Sequence, residues 1–238
     1  MSRDIRNLTM VEFAEAMARG AWLLLPIGAT EEHGPHLPLG SDLIQAEYVC
    51  GAVARAVNGL VAPGLPYGLC RTTRNFPGTV SISFETLEAL VREVLAGYVQ
   101  HGARRIAVVS GHAGGAHMEA LRQAALALVE ETEGLTVLVI GPRDIPLPFL
   151  EEAGVPAGDG HAGAVETSAM LAIDERLVRT DRSPEGGRPR FPRFQILPNP
   201  ERLFPSGVMG DASRASRELG ERALQHILSE IVGALQDR

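Results

Sequence analysis

The feature that most limits the fold is a repeated pairing, in which a short apolar run stops abruptly in a loop of glycines and ionisable side chains. Residues 21–27 (AWLLLPI) run into Gly28-Ala29-Thr30-Glu31-Glu32-His33-Gly34, and residues 105–109 (RIAVV) run into Ser110-Gly111-His112-Ala113-Gly114-Gly115. Runs of this length are too short for helices and fit strands buried on both faces. Residues 135–140 (LTVLVI) form a third such run. Residues 60–65 form a weaker one, interrupted by Pro63 and Gly64. Helical patterns lie between them. Thr9 and Glu12 make a capping box that opens a helix through Met17. Ser41 or Asp42 caps a helix to about Val57, and Ser83 caps one carrying Leu87, Leu90, Val91, Val94 and Leu95 at the 3.6-residue period up to Gly102. Further helices are expected over 116–131, 163–173 and 211–235. Strand and helix alternate, which predicts an α/β fold with a mostly parallel sheet and helices on both faces.

The length fits one domain over residues 1–238, with an irregular surface excursion rich in proline and arginine near 180–205. The chain contains no lysine, so its 22 basic residues are all arginine, against 29 acidic residues and a net charge of −7. That excludes a lysine Schiff base, a Ser–Lys pair and a P-loop, and leaves histidine as the only basic side chain tunable into a general base. The acidic balance argues against a nucleic-acid or anionic-membrane partner. No apolar run approaches the roughly 20 residues that cross a bilayer. Residues 1–8 lack the apolar core of a signal peptide, so a cytoplasmic location is expected. Cys50 and Cys70 make no disulfide framework, and the surroundings of Cys50 suit an ordinary buried thiol.

Chemistry concentrates in three places. Glu31 and His33 follow the first strand two residues apart, so an extended backbone points them the same way. Asp42 stands where the next helix starts. His112 follows the strand at 105–109. In an open parallel sheet, ligands bind beyond the carboxyl ends of the strands, which places both loops on one rim. The third group is Asp159-Gly160-His161, followed by Glu166 on a helix. Three carboxylates and three imidazoles, Glu31, Asp42, Glu166, His33, His112 and His161, make a mixed oxygen and nitrogen donor set that suits Zn²⁺, Mn²⁺ or Fe²⁺ without sulfur. One carboxylate can bridge two cations some 3.5–4 Å apart that share an activated water, and a nearby His or carboxylate can protonate a leaving nitrogen. Taken singly, each piece has a plainer reading: a solvated charged loop, a helix cap at Asp42, a phosphate-binding loop at His112. His36, His101, His117 and His226 read as structural or exposed.

Leu25 to Gly40 (LPIGATEEHGPHLPLG) with Ser41-Asp42 resembles the signature loop of the creatininase family of metal-dependent amidohydrolases. Asn75-Phe76-Pro77-Gly78-Thr79-Val80-Ser81, the loop at 110–115, His161-Ala162-Gly163 with Glu166-Thr167-Ser168, and Gly207-Val208-Met209-Gly210-Asp211 are similar to later segments of that family, in its order. The resemblance implies a three-layer α/β/α fold and two divalent metal ions, Zn²⁺ foremost and Mn²⁺ or Fe²⁺ as alternatives. It implies metal ligands at Glu31, His33, Asp42, His112 and Glu166, with Asp42 bridging. It makes His161 the acid/base residue, and it implies a homo-oligomer, in many members a hexamer.

Two departures bear on the substrate. Creatininase proper carries a glutamate two residues after the histidine matched by His112, where this chain has Gly114. Creatininase also uses tryptophans around its creatinine pocket, whereas this chain has only Trp22, inside the first strand. The expectation is therefore hydrolysis of a small non-peptide C–N bond, a formamide or cyclic amide. Alternatives are a peptidase acting on a mycofactocin-type precursor and a catalytically silent metal or metabolite binder. Arg71 and Arg74 could meet an anionic substrate through guanidinium hydrogen bonds, or simply face solvent.

Overall fold

Trp22–Ile27 forms the first strand (β1), and all six of its residues are buried. The remaining strands are Gly59–Val61 (β2), Arg105–Ser110 (β3) and Thr136–Ile140 (β4). They make a four-stranded sheet in the order β2-β1-β3-β4, with every pairing parallel. The computed structural model describes residues 2–184 and 187–238. Pro26 sits inside a central strand, where a missing N–H would normally break the ladder. Trp22 N donates to Asn58 O and Gly28 N to Leu65 O, so by period 2 the nitrogen of Pro26 faces the β2 side. There β2 has already ended, at Val61, and no donor is needed.

Among the described residues six α-helices cover the sheet: Met10–Ala18 (α1), Ser41–Ala56 (α2), Phe84–Gln100 (α3), Gly115–Glu131 (α4), Ala164–Asp174 (α5) and Arg217–Gln236 (α6). Side chains of β1 alternate between two cores, as strand geometry requires. Leu23, Leu25 and Ile27 pack with Met17 of α1, Leu87, Val91 and Leu95 of α3 and Leu121 of α4. Trp22 and Leu24 pack with Val53 of α2, Ala169 of α5 and Ile231 of α6 on the other face. This is the expected three-layer α/β/α arrangement.

Local signals account for most boundaries. Thr9 and Glu12 make the full capping box, and Ser83 caps α3 through the Thr86 N–H. Three expectations need correction. The run expected at 60–65 forms a strand over Gly59–Val61 only, with an isolated bridge from Leu65 to Ile27 beyond the interruption at Pro63 and Gly64. The strand at 135–140 begins at Thr136 and is half-buried throughout, since β4 lies at a sheet edge. The last helix starts at Arg217 rather than 211, because Asp211 folds into a separate 3-10 turn and Ser216 provides the helix cap.

The strand order sets up the site. β1 leads through α2 to β2 on one side, while β3 leads through α4 to β4 on the other. The connections diverge between β1 and β3, and that divergence opens a crevice at their carboxyl ends.

Candidate metal centre

The crevice collects the ionisable groups singled out in the sequence. Glu31 and His33 lie in the loop after β1, Asp42 in the first turn of α2, His112 in the loop after β3, and Glu166 in the first turn of α5. The dipole of α2 favours a carboxylate at its first turn. Asp42 is therefore an inward-facing side chain within the helix, and Gly40 holds the cap position with no side-chain hydrogen bond. Gly111 lets the β3 loop approach the start of α2, because a Cβ there would overlap the Asp42 carbonyl.

Asp42 stands between two imidazoles. Its Oδ1 is 3.0 Å from His33 Nε2 and its Oδ2 is 3.1 Å from His112 Nδ1. Glu31 Oε2 is 2.8 Å from the same His112 nitrogen, and Glu166 Oε2 is 3.7 Å from His33 Nε2. The outer nitrogens of both rings are fixed by backbone. His33 Nδ1–H donates to Glu31 O at 3.1 Å, and His112 Nε2–H donates to Leu69 O at 3.2 Å. Each ring thus turns its other nitrogen toward the carboxylates, the arrangement that orients metal-ligating histidines. Glu31 Oε2 and Asp42 Oδ2 are buried and make no well-directed hydrogen bond. Orphaned carboxylate oxygens are costly to bury, and a cation satisfies them. The donor set therefore fits divalent metal ions.

Electrostatics follow from this crowding. Burial opposes charge on His33, but Asp42, Glu166 and Glu31 outweigh it and push the imidazole up to about 10. Burial works the same way at His112, and Glu31 and Asp42 again win, raising it well above its ordinary value. Glu31 and Asp42 are held below theirs despite burial, by His112 and His33 respectively. Glu166 goes the other way, because burial dominates and raises it.

His161 joins from the loop before α5. Its ring lies 4.4 Å from that of His33. Its Nε2–H donates to Glu32 O at 2.8 Å and lies 3.2 Å from Glu32 Oε1. Ala162 follows with φ of 53°, a strained left-handed conformation for a residue with a Cβ. It is held there because its N–H donates to Glu166 Oε2 at 2.7 Å and it is fully buried. Asp159 has a structural part: its carboxylate accepts from Ala164 N and Val165 N at 2.9 and 3.0 Å, capping α5.

Several neighbours escape sequence reasoning. The Thr73 hydroxyl donates to Glu31 Oε1, though nothing in its polar loop marks it out. Glu32 meets His161, yet alternation along the loop sends it away from Glu31 and His33. His117 is fully buried, accepts from Leu69 N through Nδ1, and stacks edge-on to His112 at 4.8 Å. Burial and His112 hold it neutral, down to about 3. The sequence reading assigns oxygen and nitrogen donors alone, whereas Cys70 places a sulfur beside them. One ligand atom each of Glu31, Cys70 and His112 lie within 4.8 Å of one another, as do one each of Glu31, His33 and His161. Arg71 is exposed, and Arg74 is engaged at the Pro198 carbonyl at 3.2 Å.

The family model for creatininase, described as creatinine amidohydrolase, matches residues 6–235. The chain belongs to the creatininase family. Creatinine amidohydrolase of Pseudomonas putida is 31% identical, over 98% of this chain and 96% of that one. A mycofactocin precursor peptide peptidase of Mycobacterium ulcerans is 35% identical, over 90% of this chain and 84% of that one. The structure of a manganese creatininase superposes with a TM-score of 0.91 at 31% identity, covering 100% of this chain and 98% of that one. This creatininase-family amidohydrolase therefore carries its buried donor groups on a scaffold shared with both relatives. No helix among the described residues is long and apolar enough to cross a membrane.

Proposed function

We propose that this protein is a two-metal amidohydrolase acting on a small non-peptide C–N bond, a formamide or cyclic amide. Glu31, Asp42 and His112 would hold one ion and His33, Asp42 and Glu166 the other. The observation that carries the reading is Asp42, whose two oxygens face two different imidazoles at 3.0 and 3.1 Å. Divalent ions in such a site polarise a carbonyl oxygen and activate water. The chain's own residues supply the rest. Thr73 holds Glu31 by one oxygen, leaving the other turned inward. Glu32 engages His161 Nε2, so Nδ1 is the nitrogen left to exchange a proton with the departing nitrogen of substrate. The Glu31, Asp42 and His112 side chains are at most 8% exposed, which suits a compact substrate.

Creatinine fits poorly. A Cβ on Gly114 would lie 2.5 Å from His112 Nε2, so a side chain there must displace that ring. Trp22 is buried in the sheet, under the guanidinium of Arg105. The second reading, a peptidase of a small precursor, is favoured by the 35% identity to a mycofactocin precursor peptide peptidase. The family resemblance also implies a homo-oligomer, and Phe194 and Ile196, 95% and 93% exposed, are apolar side chains such an assembly would cover. The test is metal analysis followed by a panel of formamides, lactams and short peptides. Chelator-sensitive turnover of formamides or lactams is expected. Turnover of peptides alone would transfer the protein to the second reading, and turnover unaffected by complete metal removal would end both.

A further inference from the structure

We propose that Cys70 supplies a thiolate to the ion held by Glu31 and His112, which makes one half of the centre sulfur-containing and zinc-selective. The inference rests on the two-metal reading above and goes beyond it, because that donor set contains no sulfur.

Three observations carry it. First, a ligand atom of Cys70 lies within 4.8 Å of ligand atoms of both Glu31 and His112. Second, Glu31 Oε2 and Asp42 Oδ2 are buried in the same place without hydrogen-bond partners, and their side chains are only 2% exposed. A cation held between Glu31 and His112 is within reach of the sulfur as well. Third, the segment bearing Cys70, which follows the bridge of Gly68 to Ser81, is pinned on both sides. Leu69 O accepts from His112 Nε2 at 3.2 Å, and Cys70 N donates to Ser81 Oγ at 2.9 Å. The turn that fixes the His112 ring therefore also delivers the next side chain to it. Cys70 is 1% exposed, so this placement is not a chance surface position.

The other half of the centre differs. His33 is grouped with Glu31 and His161, without a sulfur. Cys50 packs among Val49, Val53 and Ala54 in the opposite core and has no part in either group. Thiolate favours zinc over manganese, whereas carboxylates tolerate both. On binding, the Cys70 S–H bond breaks, its proton passes to solvent and a sulfur–metal bond forms, with no change of oxidation state.

X-ray absorption on the zinc-loaded full chain tests this. Wild-type protein and Cys50→Ala, which leaves one thiol, should both show a sulfur shell at about 2.3 Å beside nitrogen and oxygen at about 2.0–2.2 Å. Cys70→Ser should lose the sulfur shell while zinc stays bound. Its preference for zinc over manganese should fall about 10-fold or more, on the scale of losing a tuning contact to a metal site. Bound zinc with no sulfur shell in wild type, or a shell unchanged in Cys70→Ser, overturns the thiolate and leaves the metal centre standing. Failure of wild type to take up zinc or manganese at all overturns both. If Cys70→Ser does not fold, the Cys50→Ala spectrum decides alone.

Discussion

The rim between β1 and β3 buries charge, whereas the excursion around residues 187–204 exposes hydrocarbon. Glu31, His33 and Asp42 are 2%, 0% and 2% exposed, while Phe194 and Ile196 are 95% and 93% exposed. Neither pattern favours stability. Burying ionised groups costs several kcal/mol each unless they are paired, and Phe194 sits at a φ of 64° that non-glycine residues disfavour. What separates the regions is compensation. At the rim every ring nitrogen turned outward has a backbone partner, and the carboxylates are opposed by imidazoles. In the excursion Phe194 and Ile196 reach solvent although Phe204 is buried, and Arg188, Arg190 and Arg193 are exposed beside them. The rim holds its groups in place for chemistry. The excursion leaves its groups available for a contact made elsewhere.

The contrast can be broken by substitution. The largest effect on turnover, short of losing the metals, should come from His161→Ala, with a fall of about 10²–10⁴-fold on the scale of a general acid or base. Metal content measured alongside should be unchanged, and an active variant would remove His161 from the mechanism. Thr73→Val keeps the shape and deletes the hydroxyl that holds Glu31. Calorimetric titration should show metal affinity weakened about 10–100-fold, and an unchanged affinity would reduce Thr73 to packing.

A third effect is electrostatic. Burial opposes the charge on His33 but Asp42 prevails, so in metal-free protein this imidazole titrates at about 10 against an ordinary 6.5. Between those values the folded chain binds a proton that the unfolded chain has lost. The resulting stability is complete below pH 6.5 and is lost as pH rises towards 10. Thermal midpoints of chelated protein should decline across that window, and saturating metal should flatten the decline by taking the proton's place. A flat profile in the chelated protein would contradict the pairing. The smallest effect belongs to the excursion. Ile196→Ser should change stability by no more than about 0.5 kcal/mol and leave metal content alone. Light scattering would show whether it alters assembly, and loss of turnover without loss of assembly would join the excursion to the site.

Much of this was legible in the sequence because it is local. The run at 105–109 becomes a central strand ending at Ser110, and the Thr9–Glu12 box caps α1 as its spacing requires. Glu31, His33, Asp42, His112 and Glu166 converge because they follow strand ends or begin helices, and those positions can be read from pattern. Thr73, Cys70 and His117 were not legible in the same way. Thr73 and Cys70 reach the rim from a segment whose position depends on tertiary pairing, as Gly68 does when it bridges Ser81, whereas His117 sits in the first turn of α4 as one more helix-face histidine. The short β2 follows from Pro63 and Gly64, which are read directly, whereas the half-buried β4 reflects sheet order, which no single run encodes.

The central claim is that Asp42 is shared between two ions. Elemental analysis of wild type and Asp42→Ala, purified and metal-loaded in parallel, tests it most directly. The account predicts two metal equivalents per wild-type chain, one or none in the variant, and turnover reduced by more than about 100-fold, beyond the usual cost of losing an outer-shell partner. Two retained equivalents and undiminished turnover in Asp42→Ala would contradict it.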